Sequence, residues 1–208
     1  MRVAIIDCGA GNLHSVRKAI GARLPEGAAL DVTTDAATVK NATHIVLPGV
    51  GAFADCMQGL HALPGMREVL EQKVHQGTTP FLGICVGMQM LFERGYEHGV
   101  HEGLGWFKGE VKPIAPANPA LKIPHMGWNQ LLPQKNHAVL QDIAAGEHVY
   151  FVHSYAAQGA SREDILASID YGGEIVAVIG RANIVGTKFH PEKSQRVGLR
   201  LISNFLSQ

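Results

Sequence analysis

The segment Gly83-Ile84-Cys85-Val86-Gly87 sets a cysteine at the centre of a pattern with a small residue two positions to either side. An apolar strand pattern, Thr79–Ile84, leads into it, and Met88, Leu91 and Phe92 follow at helical spacing. The cysteine therefore falls on a sharp strand-to-helix turn, where backbone segments approach closely and the apical side chain is pushed out over the sheet edge. The start of a helix favours a thiolate over a thiol, whose ordinary pKa is about 8.5. Cys85 reads as a nucleophile for acyl transfer, against the competing reading of a buried structural thiol that suits Cys8 and Cys56.

A nucleophilic cysteine needs a base, and the base needs a group to orient it. His190-Pro191-Glu192 supplies an imidazole and a carboxylate directly after the apolar run Ile184–Phe189, at a strand end where such sheets place their sites. Any single histidine among 11 would be a weak signal; the His-x-Glu pair together with the elbow is a specific one. Acyl transfer also needs backbone donors for an oxyanion. Val86, following the nucleophile, offers one, and the loop Pro48-Gly49-Val50-Gly51-Ala52-Phe53 offers others around Val50 and Gly51.

The elements that must position these groups are legible in outline. Arg2–Ile6, Leu30–Thr33, Thr43–Leu47 and Thr79–Ile84 read as strands. Leu13–Ile20 and Leu63–Gln76 carry apolar residues on one helical face. This alternation predicts a parallel sheet flanked by helices. After Gly105 the pattern changes to strand runs without a long helix: Trp106–Ile114, Gly127–Leu132, Val149–Tyr155, Ile165–Tyr171, Ile175–Gly180 and Ile184–Phe189. Gly172-Gly173 marks a tight hairpin turn between two of them, and Ser194–Leu206 closes the sequence as a helix. The expectation is an α/β chain with a mixed, mainly parallel central sheet, an antiparallel section in its second half, and one domain over residues 1–208.

Composition narrows the function classes. Eighteen Lys and Arg balance 18 Asp and Glu, which removes any general attraction to nucleic acid or an anionic bilayer. The longest apolar runs are strand-sized, so no transmembrane segment is expected, and Arg2 with its short apolar run does not read as a secretion signal. Three cysteines without a CxxC pair suit neither a disulfide framework nor a zinc site. A cytoplasmic enzyme that needs no cofactor and no metal is expected. Gly9-x-Gly11 suggests a dinucleotide fingerprint, but His14 stands where a third glycine belongs. His98-x-x-His101 lacks the pattern of a metal centre and reads as a solvated loop.

PGVGAF (Pro48–Phe53), GICVGMQ (Gly83–Gln89) and HPE (His190–Glu192) resemble the signature blocks of class I glutamine amidotransferases, and the 105 positions from Cys85 to His190 fit that family. GAGN (Gly9–Asn12), PHMGWN (Pro124–Asn129), YFVHSY (Tyr150–Tyr155) and HPEKSQ (His190–Gln195) resemble the branch that supplies ammonia for imidazole glycerol phosphate synthesis. The resemblance implies a flavodoxin-like fold, Cys85 as nucleophile, His190 as base and acid, and Glu192 as orienting carboxylate. It implies that Gln89 and Glu97 hold the polar groups of L-glutamine, with Gly51, His153 and Ser154 as backbone contacts. It also implies a heterodimer with a (β/α)8-barrel cyclase subunit in histidine biosynthesis, docked on Pro124, His125, Met126, Gly127, Trp128, Asn129 and Tyr150. In that family the Val50 region is held in a poor oxyanion geometry until the partner binds its ligand. The residues alone leave Trp128 open between an interface anchor and a core side chain, and favour the core.

Overall fold

A computed structural model describes residues 1–9 and 11–208; Ala10, inside the Gly9–Asn12 segment, lies outside the described residues. The first half runs β1 (Arg2–Ile6), α1 (Leu13–Gly21), β2 (Ala29–Thr33), α2 (Ala36–Lys40), β3 (His44–Gly49), α3 (Phe53–His61), α4 (Met66–Leu70), β4 (Phe81–Cys85) and α5 (Val86–Gln89). The second half runs β5 (Phe92–Gly95), β6 (His101–Glu102), β7 (Phe107–Pro113), β8 (His125–Gln130), β9 (Leu132–Pro133), β10 (His148–His153), β11 (Tyr155–Gln158), β12 (Ile165–Asp170), β13 (Glu174–Arg181), β14 (Ile184–Thr187) and α6 (Gln195–Leu206).

The main sheet has eight strands in the order β2-β1-β3-β4-β14-β13-β12-β9. β2, β1, β3, β4 and β14 are parallel; β13, β12 and β9 continue it antiparallel. β3 and β4 are buried along their whole length, as the continuous apolar runs of central strands require. Strands are added on one side of β1 for β2 and on the other for β3 and β4, so right-handed crossovers place α1 on one face and α3 on the other. α1 packs with α6, and α4 packs with both α2 and α3, which makes two helical layers.

Two smaller sheets lie beside this one. β10 pairs with β8, and β11-β7-β5-β6 form the other. The expected strand Val149–Tyr155 is split because the Ser154 carbonyl accepts from Ile114 N–H at 2.9 Å, which hands the chain from β8 to β7. Gly127–Leu132 is divided likewise, where Leu131 bonds back to Gly146 and Glu147 before β9 joins β12. The second half is mainly antiparallel as expected, with β14 on β4 and β5 on β7 as parallel exceptions.

Three other expectations need correction. The helix after Cys85 ends at Gln89, and Phe92 lies in β5, because the Met90 and Leu91 carbonyls accept from Leu104 and Phe107 N–H instead of continuing the helix. The helix over Leu63–Gln76 starts only at Met66, after Gly65 at φ 71, and its last turn is a π turn over Glu71–His75. α2 and α3 were not anticipated, although Asp35, whose carboxylate accepts from Ala37 and Thr38 N–H, is a legible cap.

Candidate functional site

Cys85 closes β4 and opens α5 with φ 57 and ψ −109, a left-handed conformation that a side chain adopts only when its surroundings impose it. Crowding explains the glycines around it. A Cβ on Gly83 would lie 2.7 Å from the Gly87 carbonyl oxygen, and one on Gly49 2.8 Å from Gly87 N. A Cβ on Gly87 would overlap the Leu47 carbonyl oxygen outright. The three backbones touch, and the side chain between them has one direction left.

β14 lies beside β4, with Thr187 in register with Ile84. The chain beyond Thr187 thus passes the elbow, setting Lys188 beside Cys85 and bringing His190 to the same strand ends. His190 is buried; its Nδ1–H donates to Glu192 Oε1 at 2.8 Å, and both side chains are within 3% of full burial. That bond leaves Nε2, which is buried, as the nitrogen free to act on the sulfur. His190 N–H donates to the Tyr150 carbonyl at 3.0 Å. The Ser194 hydroxyl donates to the His190 carbonyl at 2.7 Å and accepts from Tyr150 N–H at 2.9 Å. β10 and the His190 turn are clamped together by one side chain that the sequence did not single out.

The charges of this cluster depend on one another. Burial pushes the Cys85 thiol up, but the Lys188 ammonium, the His190 imidazole and their hydrogen bonds outweigh it and bring the thiol down to about 7. Burial pushes the His190 imidazole down, but Cys85 and Glu192 outweigh it and bring it up to about 9. Between those values the favoured pair is thiolate and imidazolium. Such a pair can attack a carbonyl carbon and then protonate the group that leaves.

The pair opens into a cleft of about 560 Å³ lined by Val50, Gly51, Cys85, Val86, Gln89, Glu97, Pro124, His153, Ser154, Lys188 and His190, among others. The residues expected to attack, bind or polarise the substrate all line it, and Glu192 lies buried against His190. Gly51 has φ 89, so the loop after β3 uses a conformation glycine permits. Glu97 has a structural bond in addition: its Oε2 accepts from Phe53 N–H at 2.9 Å, tying the first turn of α3 to the far wall. His153 Nδ1 bonds the Tyr155 carbonyl at 3.0 Å, which only a protonated Nδ1 can do, so its Nε2 accepts from His125 Nδ1 at 2.9 Å. Burial and Lys188 hold His153 down to about 3 and His125 below its usual range, and both imidazoles are neutral.

Comparison with known proteins fits this geometry. Residues 4–208 match the family described as glutamine amidotransferase class-I. The chain belongs to the class I glutamine amidotransferases. It is 55% identical over 210 residues to a Rhodospirillum rubrum protein named imidazole glycerol phosphate synthase subunit HisH, covering 99% of this chain and 98% of that one. A Brucella suis protein of the same name is 52% identical over 212 residues, with 99% and 98% covered. A solved structure described as a glutamine amidotransferase superposes with a TM-score of 0.74 at 16% identity over 99% of this chain and 97% of its own, a likeness of fold.

The surface beside this amidotransferase's cleft differs from expectation in two residues. β8 alternates, so Met126 and Trp128 point outward, 62% and 46% exposed, while His125 points inward. Trp128 is thus not the core side chain that sequence alone favoured; its ring sits edge-on to Tyr150 at 5.8 Å. His125, expected on the partner surface, is 3% exposed and stacked on Phe151 and Tyr171. Gly127 and Asn129 are half-buried, Pro124 is exposed at the cleft rim, and Lys193 Nζ lies 5.8 Å from the Tyr150 ring centroid. Among the described residues, no helix is long and apolar enough to cross a membrane.

Lys188, like Ser194, is a residue of the site that the sequence does not single out. A lysine inside the apolar run Ile184–Phe189 was the available signal, and it is 2% exposed.

Proposed function

We propose that this chain is the glutaminase subunit of an imidazole glycerol phosphate synthase, hydrolysing L-glutamine to glutamate and ammonia through a thioester on Cys85. The observation that carries the reading is the cysteine on the crowded elbow, coupled to the buried His190–Glu192 pair at one end of a cleft with room for an amino acid. The full-length likeness to proteins named as this subunit supports the choice of branch.

The reaction follows from the charges. The Cys85 thiolate attacks the side-chain carboxamide carbon, and the negative charge that forms on oxygen meets Val86 N–H and the backbone around Val50 and Gly51. His190, as imidazolium held by Glu192, donates its proton to the amide nitrogen, the carbon–nitrogen bond breaks and ammonia departs. The neutral imidazole then takes a proton from water, whose oxygen attacks the thioester; glutamate leaves and the thiolate and imidazolium are restored. Gln89 and Glu97, with the backbone at Gly51, His153 and Ser154, orient the substrate.

Ammonia in bulk water would be protonated and lost as a nucleophile. In this reading it passes to a (β/α)8-barrel cyclase subunit that forms imidazole glycerol phosphate and an aminoimidazole carboxamide ribonucleotide in histidine biosynthesis, in a cytoplasmic heterodimer. The exposed Met126 and Trp128 beside Tyr150 are suited to anchor that partner, since exposed aromatic and methionine side chains are characteristic of interface centres. A net charge of zero on this chain fits a division in which the phosphorylated substrate is held by the other subunit.

The test measures glutamate release by the purified chain alone and with a cyclase loaded with its ligand, and labels the chain with a glutamine-analogue electrophile. Slow release alone, a strong rise with the loaded partner and a covalent mark on Cys85 are expected. Full activity of the isolated chain overturns the coupling, and a mark elsewhere overturns the role of Cys85.

A further inference from the structure

We propose that the Lys188 ammonium is the counter-charge that keeps Cys85 ionised in the resting enzyme, leaving the His190–Glu192 pair free to move the proton. The inference deepens the glutaminase reading and rests on it only for the identity of the acyl group.

The geometry comes from strand register. Pairing Thr187 with Ile84 in parallel strands sets the next residues, Lys188 and Cys85, side by side. Lys188 Nζ donates to Cys85 Sγ at 3.5 Å from a side chain that is 2% exposed and lines the cleft. A buried ammonium is retained only against an opposite charge. The cluster's carboxylate, Glu192, is engaged by His190 Nδ1, so the sulfur is the anion within reach.

His190 also acts on the sulfur, through its charge and a hydrogen bond. The two cations differ in what they can do. The imidazolium must give its proton to the departing nitrogen and take another from water, so its charge is lost in mid-reaction. The Lys188 ammonium gives up no proton in this reaction, so its charge is not spent in mid-reaction.

The charges facing Lys188 sum correctly. Cys85 at the end of β4 and Glu192 in the turn after β14 carry one negative charge each when ionised, against Lys188 and a protonated His190. From β8 and β10, His125 and His153 face the cluster as neutral imidazoles bonded to each other. Glu97, His98 and Lys193 stand further round the cleft wall. From α3, Cys56 adds no charge, since its thiol is held up to about 12. Removing Lys188 leaves a net negative charge in a buried site, and the cheapest way to discharge it is to protonate Cys85.

The experiment follows the rate of Cys85 alkylation by iodoacetamide against pH in the full chain, read by mass spectrometry of the Cys85 peptide, with no glutamine present. In the wild type the rate rises around the thiol's value of about 7. In K188M the midpoint is expected to move up by at least about one pH unit, so the thiolate fraction at pH 7 falls about fivefold or more. The plateau at high pH does not fall, because a more basic thiolate is the better nucleophile. K188R, which keeps the charge, is expected to stay near the wild-type midpoint.

Superimposable profiles for wild type and K188M overturn the proposal. So does a K188R profile displaced as far as that of K188M, because packing rather than charge would then set the ionisation. If K188M fails to fold by circular dichroism, the ultraviolet absorbance of the thiolate in K188R and K188Q makes the same comparison. Since no glutamine is used, a chain that failed as a glutaminase would still give a shifted midpoint if Lys188 holds the sulfur.

Discussion

Cys85 and Cys56 are both buried, at 4% and 0% exposure, and both lie near the start of a helix. Their thiols move in opposite directions. Burial, helped by Cys8, Cys85 and Asp55, pushes Cys56 up to about 12, while Cys85 comes down to about 7. Burial acts on each in the same sense, so it is not what makes a cysteine reactive. What differs is the company: Cys85 has Lys188 and His190, and Cys56 has one hydrogen bond, from its thiol to the Val50 carbonyl at 3.4 Å. A reactive thiol here is a buried thiol with counter-charges already in place.

The largest expected effect comes from removing the group that moves the proton. H190A leaves Lys188 beside the sulfur, so Cys85 should still ionise, yet no imidazolium remains to protonate the departing nitrogen. Glutamine turnover should fall about a thousandfold, while alkylation of Cys85 near neutral pH falls much less. Equal losses in the two assays would show that ionisation and proton transfer depend on the same group.

The elbow itself supplies the second contrast, because it is what aims Cys85 into the cleft. In G87A the new Cβ meets the Leu47 carbonyl oxygen, a backbone atom that cannot turn aside. β3, β4 and α5 must separate, at a cost of about 3 kcal/mol or more in unfolding free energy by urea titration. Separation also moves Cys85 away from Lys188, so its alkylation midpoint should rise toward that of an ordinary thiol. An unchanged midpoint in a folded G87A would mean that the counter-charges do not depend on the elbow.

The same contrast explains what could be read from the sequence. The elbow and the His-Pro-Glu turn are short-range patterns, in which each residue's role is fixed by neighbours two positions away. Lys188 is different. Its meaning comes from the register of β14 on β4, made by residues about a hundred positions apart, and nothing within the apolar run reveals which neighbour will accept its charge. The outward turn of Trp128 and the inward turn of His125 are hidden in the sequence for a related reason. Two-residue alternation along β8 separates Met126 and Trp128 from His125 and Gly127, but which face turns inward was decided by distant partners, among them His153 and Tyr171. The central parallel strands are legible because their runs are largely apolar, whereas the end of α5 and the start of β5 are not, since the Met90, Leu91 and Phe92 carbonyls are claimed by Leu104, Phe107 and Gly105.

His153 extends the comparison to a cation-forming group. Burial and the nearby Lys188 lower it to about 3, so the native state refuses a proton that the unfolded chain binds below about 6.5. Stability should therefore be lost as pH falls from about 6.5 toward about 3, with a slope of up to about 1.4 kcal/mol per pH unit from this residue. H153Q can still donate to Tyr155 and accept from His125 but cannot be charged. Its urea-unfolding free energy should fall less steeply than wild type over that range. Parallel curves would mean that His153 is protonated in the native state and that the cluster tolerates another cation.

The smallest effect belongs to Cys56. With its thiol held up to about 12, iodoacetamide near neutral pH should leave Cys56 unmarked while Cys85 is consumed. Its sulfur matters only as a donor to the Val50 carbonyl, in the loop that faces the cleft across from Val86. A thiol is a weak donor, so deleting it in C56A should change turnover by a factor of about two to five. That change should fall on kcat rather than KM, because the Val50 backbone is called on when charge develops on the substrate oxygen. C56S restores a donor and should return most of the difference. A change confined to KM would place the loop in substrate binding instead. A loss as large as that of H190A would mean that a buried neutral thiol contributes as much as a charged cluster, which is the distinction that Cys85 and Cys56 draw.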